Sequence, residues 1–145
     1  MPPPSLRSGR WEHFAHDADL GVRGHGATLA EAFEQAALAL AAAVVDSRQI
    51  ATTESVDIAC EAPNEELLLV DWLNALIFEM STRNVCFGRF SVAIDGARLR
   101  GRAFGEPLNP AKHDFGVEPK GATYTALRVA RETDGTWLAQ CVVDV

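Results

Sequence analysis

Apolar positions along the chain switch between two periods, and the switches mark out the elements. From Thr28 onward, Leu29, Phe33, Ala36, Ala37, Leu40 and Val44 recur at helical spacing, with Glu31, Glu34 and Gln35 on the opposite side. This predicts an amphipathic surface helix. The hydroxyl of Thr28 can accept from the amide of Glu31 while Glu31 reaches back, a capping box that fixes the start. A second helix is predicted after the Pro63-Asn64 break, with Glu65 and Glu66 in the first turn, where negative charge suits the helix dipole. Between Leu67 and Met80 only Asp71, Asn74 and Glu79 are polar, so this helix should be deeply buried or lie at an interface.

The remaining runs alternate with the period of strands. One begins over Trp11 to His16, and residues 50 to 60 form a β-branched second. Phe87 to Ile94 and Arg98 to Phe104 are joined across Asp95-Gly96, and Ala122 to Ala130 and Thr136 to Val143 across Asp134-Gly135, both hairpin signals. In the last run Trp137, Ala139, Cys141 and Val143 share one face and Asp144 falls on the other. The order strand, helix, strand, helix, four antiparallel strands predicts an α+β fold, two helices packed on antiparallel sheet or sheets of about six strands.

Composition narrows the setting. A chain of 145 residues with 48% hydrophobic content fits a single domain, here residues 11 to 145, behind a Pro- and Ser-rich tail over residues 1 to 10 that is expected to be disordered. A net charge of -7 argues against direct, phosphate-driven nucleic-acid binding, although Arg98, Arg100 and Arg102 alternate along one run and could make a local basic patch. Cys60, Cys86 and Cys141 are odd in number and widely spaced, which suits reduced thiols in a cytoplasmic protein. Neither a signal-peptide core nor an apolar run of membrane-spanning length is present, so no membrane partner is expected.

Candidate chemistry concentrates near the first strand and the last. If the segment around Asp17 and Asp19 is extended, both carboxylates point to one face and His16, Ala18 and Leu20 to the other, a candidate cation site followed by Gly21, Gly24 and Gly26, which loosen the backbone. If the last strand lies beside the first, Asp19 joins Asp144 and Val145 in an all-oxygen cluster suited to Ca²⁺ or Mg²⁺. A plainer reading has Asp144 ending a strand and Asp19 capping a turn, and spacing leaves both open. Zinc is disfavoured, because His13 and His16 fall on opposite faces and no cysteines have C-x-x-C spacing. His16, Asp17, Asp19 and His113 could serve a small metal-dependent hydrolase, but no G-x-S-x-G, P-loop or G-x-G-x-x-G accompanies them. Trp72 and Trp137 read as core aromatics.

Four stretches carry a family resemblance. His16-Asp17-Ala18-Asp19-Leu20-Gly21 with Gly26-x-Thr28-Leu29-x-Glu31-Ala32-Phe33 resembles the opening motif of the archease family. Leu69-Val70-x-Trp72-Leu73-Asn74 resembles its second helix, and His113 with Glu118-x-Lys120-x-x-Thr123-Tyr124 its motif before the last hairpin. Trp137-x-Ala139 running to Asp144-Val145 is similar to its C-terminus. The resemblance implies a non-enzymatic, chaperone-like accessory protein of the GTP-dependent RNA ligase that joins 3′-phosphate or 2′,3′-cyclic-phosphate ends to 5′-hydroxyl ends in tRNA splicing and RNA repair. It implies promotion of guanylylation of the ligase's histidine and of multiple turnover, with RNA met only indirectly through the ligase. It also implies a divalent cation, calcium with magnesium as the alternative, held by Asp19, Asp144 and Val145, with His16, Asp17, His113, Glu118 and Lys120 as supporting, partner-facing residues. The chain departs from the family pattern at Asp17, where Thr or Ser is usual, at Pro119, where an aliphatic residue is, and at Thr125, where His is common.

Overall fold

A computed structural model describes residues 9–145. The expected N-terminal tail lies outside the described residues apart from Gly9 and Arg10. The elements are β1 (Arg10–His16), β2 (Asp19–Gly26), α1 (Leu29–Val44), β3 (Glu54–Glu61), α2 (Glu65–Arg83), β4 (Val85–Asp95), β5 (Arg98–Pro107), β6 (Gly121–Ala122), β7 (Arg128–Arg131) and β8 (Trp137–Asp144), with a short 3₁₀ turn over Ser47–Gln49. The fold is α+β, but it has eight strands in two antiparallel sheets where about six were expected. One sheet runs β1-β2-β8-β6, with β7 also paired to β8, and the other runs β3-β5-β4.

Two departures account for the extra strands. The first run is a hairpin: Asp17 takes a left-handed φ of 52°, the chain reverses over Asp17 and Ala18, and His16 pairs with Asp19. An aspartate tolerates that conformation because its short side chain can bond locally. The run from 122 to 130 pairs with β8 at both ends but is interrupted between them, where Ala126 is left-handed at 53°. The β4–β5 turn falls on Gly96 and Ala97, one residue later than expected, with Gly96 at φ 59°.

Both helices lie between the sheets. Thr28 caps α1 as expected, its hydroxyl accepting from the amide of Glu31 at 3.1 Å, while Glu31 bonds back to the amide of Ala27 at 2.6 Å. The expectation of a surface helix is corrected: Ala32, Phe33, Ala36, Ala37, Ala39, Leu40 and Ala41 are all buried, because alanines on two sides let both sheets approach. Gly24 and Gly26 make the approach possible rather than loosening the backbone. A Cβ on Gly24 would lie 2.3 Å from the carbonyl oxygen of Ala32 and from the amide nitrogen of Ala36. Glu34, expected on a solvent face, accepts from the amide of Val92 on the edge of β4 at 2.8 Å, and burial pushes its carboxyl up.

The second helix is the more open of the two. Asn64 caps it, accepting from the amide of Leu67 at 2.9 Å, and left-handed Asn84 ends it. Its buried side is Leu68, Leu69, Val70, Trp72, Leu73, Leu76, Ile77 and Met80, while Phe78 on the other side is 62% exposed. Trp72 joins three elements, donating from Nε1 to the carbonyl of Phe33 at 3.1 Å and lying against Gly101 of β5. No helix among the described residues is long and apolar enough to cross a membrane.

Candidate metal centre

The β1–β2 hairpin and the end of β8 build the site through strand register. His16 pairs with Asp19, and Leu20 pairs with Val143, so Asp19 comes opposite Asp144 one step further along. Alternation then sets the faces: Val22, Cys141 and Val143 are fully buried beneath α1, and Asp19 and Asp144 lie on the outer face of the sheet. His16, the pairing partner of Asp19, lies there too. The expectation that His16 opposes Asp17 and Asp19 is therefore corrected, since the turn between them reverses the pattern. Asp17 sits on the turn itself with its side chain 93% exposed, 3.9 Å from Nδ1 of His16.

The acidic pair keeps most of its acceptor capacity. Asp19 Oδ1 receives only the amide of Val145, at 3.4 Å, at the long end of hydrogen-bond distance. The Asp144 carbonyl accepts from the amide of Lys120 at 2.8 Å, while its carboxylate has no donor among the described residues. Nδ1 of His16 is buried and has no hydrogen-bond partner there. No group of three or more His, Cys, Asp or Glu side chains among the described residues could hold a metal ion. A cation here would draw on the carboxylates of Asp19 and Asp144 and on main-chain oxygen at Val145. Such a donor set fits a hard ion rather than zinc.

The supporting residues divide. Lys120 reaches the site through its main chain, and Gly121 pairs with Asp144. Asn74 of α2 holds that segment in place by accepting from the amide of Ala122 at 2.8 Å, a use for the polar residue that ends its helical motif. Glu118, two residues before Lys120, is exposed beside the groove lined by Val44, Ile77, Met80 and Phe115. Thr125 serves the backbone, its carbonyl accepting from the amide of Val142 at 3.0 Å.

His113 belongs elsewhere. It is 2% exposed, its Nδ1 accepts from the amide of Asn109 at 2.9 Å, and its Nε2 therefore carries the proton and donates to Glu106 at 2.9 Å. Glu106 also takes Lys112 at 2.7 Å and the amide of Ala51 at 2.8 Å, and these donors, Lys112 first, hold its carboxyl at about 2. Cys86 lies 3.8 Å from the ring, but burial pushes its thiol up to about 11, so it is no ready nucleophile. Cys60 and Cys141 are likewise free thiols, pushed up to about 11 and about 12 by burial. A hydrolase using His16, Asp19 and His113 thus finds no support, because the bonds of His113 all run to a different knot.

A second feature escaped the sequence reading. On the same outer face, Arg23 lies over the ring of Phe14, donates to Gln140 at 2.7 Å and pairs with Glu12, which also meets His25 at 2.9 Å. Its signal was the shared parity of Glu12, Phe14 and His16 on one strand and Asp19, Arg23 and His25 on the next, legible only once the hairpin is known.

The model of the archease protein family matches residues 11–145. The archease of Pyrococcus furiosus is 42% identical over 140 residues, spanning 94% of this chain and 99% of that one, and the archease of Sulfolobus acidocaldarius is 36% identical over 138 residues, with the same shares covered. The solution structure of a Methanobacterium thermoautotrophicum protein superposes with a TM-score of 0.82 at 31% identity, covering 93% of this chain and 98% of the other. The crystal structure of a Thermotoga maritima archease, described as a possible chaperone, shares the fold with a TM-score of 0.61 at 23% identity, covering 92% and 96%. On its full-length match and on these relatives, the chain belongs to the archease family.

Proposed function

We propose that this protein is an accessory factor, not itself an enzyme, of the GTP-dependent tRNA-splicing RNA ligase that joins 3′-phosphate or 2′,3′-cyclic-phosphate RNA ends to 5′-hydroxyl ends. It promotes guanylylation of the ligase's histidine and restores multiple turnover. The observation that carries this reading is the convergence of Asp19 with Asp144 and Val145, with two carboxylates left short of protein donors on an open sheet face. Asp19, Asp144 and the main chain of Val145 would hold calcium, with magnesium as the alternative. A bound cation supplies positive charge that neutralises the pair and offers coordination to an incoming anionic group. The chain's part is to hold the two carboxylates at fixed register on adjacent strands, so that little reorganisation remains when the partner docks.

The test is multiple-turnover ligation by the cognate ligase with substoichiometric amounts of this protein. Wild type should restore turnover, and folded Asp19→Ala and Asp144→Ala variants should fail to do so. Stimulation that survives in both variants would leave the partner standing and remove the acidic pair from it. No stimulation of an active ligase would sink the partner assignment.

A further inference from the structure

The outer face of the three-stranded sheet carries a row of arginines in this acidic chain. Arg98, Arg100 and Arg102 occupy alternate positions of β5, the central strand, so their side chains rise from one face at intervals of about 6.7 Å. The other face is closed by Leu99 and Ala103, both buried against the helices. Beside the row the surface falls away, because Ala59 on β3 and Ser91 and Ala93 on β4 are small. The result is a shallow trough of about 520 Å³ with Arg100 and Arg102 on its wall. Arg100 has no ion pair among the described residues. Arg102 gives Nε to Asp57 at 2.7 Å while its side chain stays 53% exposed, and Arg98 is a loose 3.7 Å from Glu61 and opposite Asp95. At the end of the row the guanidinium carbon of Arg89 lies over the ring of Phe104, 3.8 Å from its centre.

We propose that this face binds single-stranded RNA directly, the arginine row following the phosphates along the trough and the Arg89–Phe104 stack receiving a base. Charge selects a polyanion, and the shape selects a nucleic-acid strand over an acidic protein. A protein interface needs a buried apolar or aromatic anchor, and beside its charged residues this face offers only Ala, Ser and a ring already covered by arginine. A nucleic-acid strand needs a row of cations and a flat π-surface, and a guanidinium plane serves as well as an aromatic ring. The choice of RNA over DNA rests on the ligase-partner reading; the charge and shape of the face do not. The overall charge of -7 keeps the binding weak and local.

The experiment is a fluorescence-anisotropy titration of a labelled, mixed-sequence single-stranded oligoribonucleotide with the full chain, without any ligase. With about three phosphates neutralised, log K should fall with log salt at a slope near -2, roughly a 15-fold loss between 50 and 200 mM salt. The triple variant Arg98→Gln, Arg100→Gln, Arg102→Gln should lose at least tenfold in affinity at 50 mM and most of the slope. The matching triple Lys variant should keep the slope. Asp19→Ala and Asp144→Ala should bind RNA as wild type does, so failure of this face and failure of the acidic site are read separately. An unchanged triple Gln variant, absence of binding at 50 mM salt, or equally tight binding of polyglutamate would each overturn the proposal.

Discussion

Two acidic sites in this molecule use the same chemical group in opposite ways. The Glu106 carboxylate is saturated: Lys112, the amide of Ala51 and the buried ring of His113 all donate to it, and its carboxyl is held at about 2. Asp19 and Asp144, at the end of the other sheet, receive one long amide contact between their two carboxylates. The number of protein donors is what separates the roles. A carboxylate whose lone pairs are occupied fixes the fold, whereas one that keeps them free can take a cation or a partner. Sequence cannot show this, since both kinds are simply acidic residues near a strand end.

The comparison breaks hardest at the buried histidine. His113→Ala should destabilise the fold by about 3 kcal/mol, through the cavity and through stranding the Asn109 amide and one bond of Glu106. Urea unfolding reads this directly. A loss below about 0.5 kcal/mol would mean that His113 is available for other work after all.

Glu106→Gln gives a smaller effect with a pH signature. The folded carboxyl lies at about 2 against its ordinary 4.5. Its stabilisation is therefore complete above about 4.5 and lost as the pH falls toward 2. The gap in urea midpoint between wild type and variant should be widest near pH 7 and close between pH 4.5 and 2. A gap that stays constant across that window would show that the charge of Glu106 does not hold the loop.

The sequence carried more of the frame than of the contacts. Both helices and the cap at Thr28 were readable, because capping follows from local spacing alone, while Asn64, read only as part of a break, is the cap of the second. The β1–β2 hairpin was not, because Asp17-Ala18 lacks the glycine that marks tight turns, and missing it put His16 on the wrong face. The burial of α1 was hidden by reading Glu31 and Glu34 as a solvent face, when each caps a main-chain amide. Gly24 looked like slack for the same reason: only the helix lying on it shows why a side chain cannot fit. Asp19 and Asp144, 125 positions apart, could be joined only on the condition that distant strands meet, a condition that family likeness favoured and the register of β2 and β8 meets, while nothing local to His113 signalled that Glu106 would enclose it.

The sharpest form of the comparison is also the smallest effect. Because Asp19 and Asp144 lack strong protein donors, Asp19→Asn and Asp144→Asn should each change stability by less than about 0.5 kcal/mol in the presence of a chelator. Calcium should then separate them. At a hundredfold excess over its dissociation constant, a bound ion adds about 2.7 kcal/mol to wild type, and the two variants should gain little. Thermal unfolding of all three proteins with chelator and with calcium measures both halves. Equal shifts in all three would place any calcium elsewhere, and variants that are already destabilised in chelator would move this pair into the same class as Glu106, as part of the scaffold.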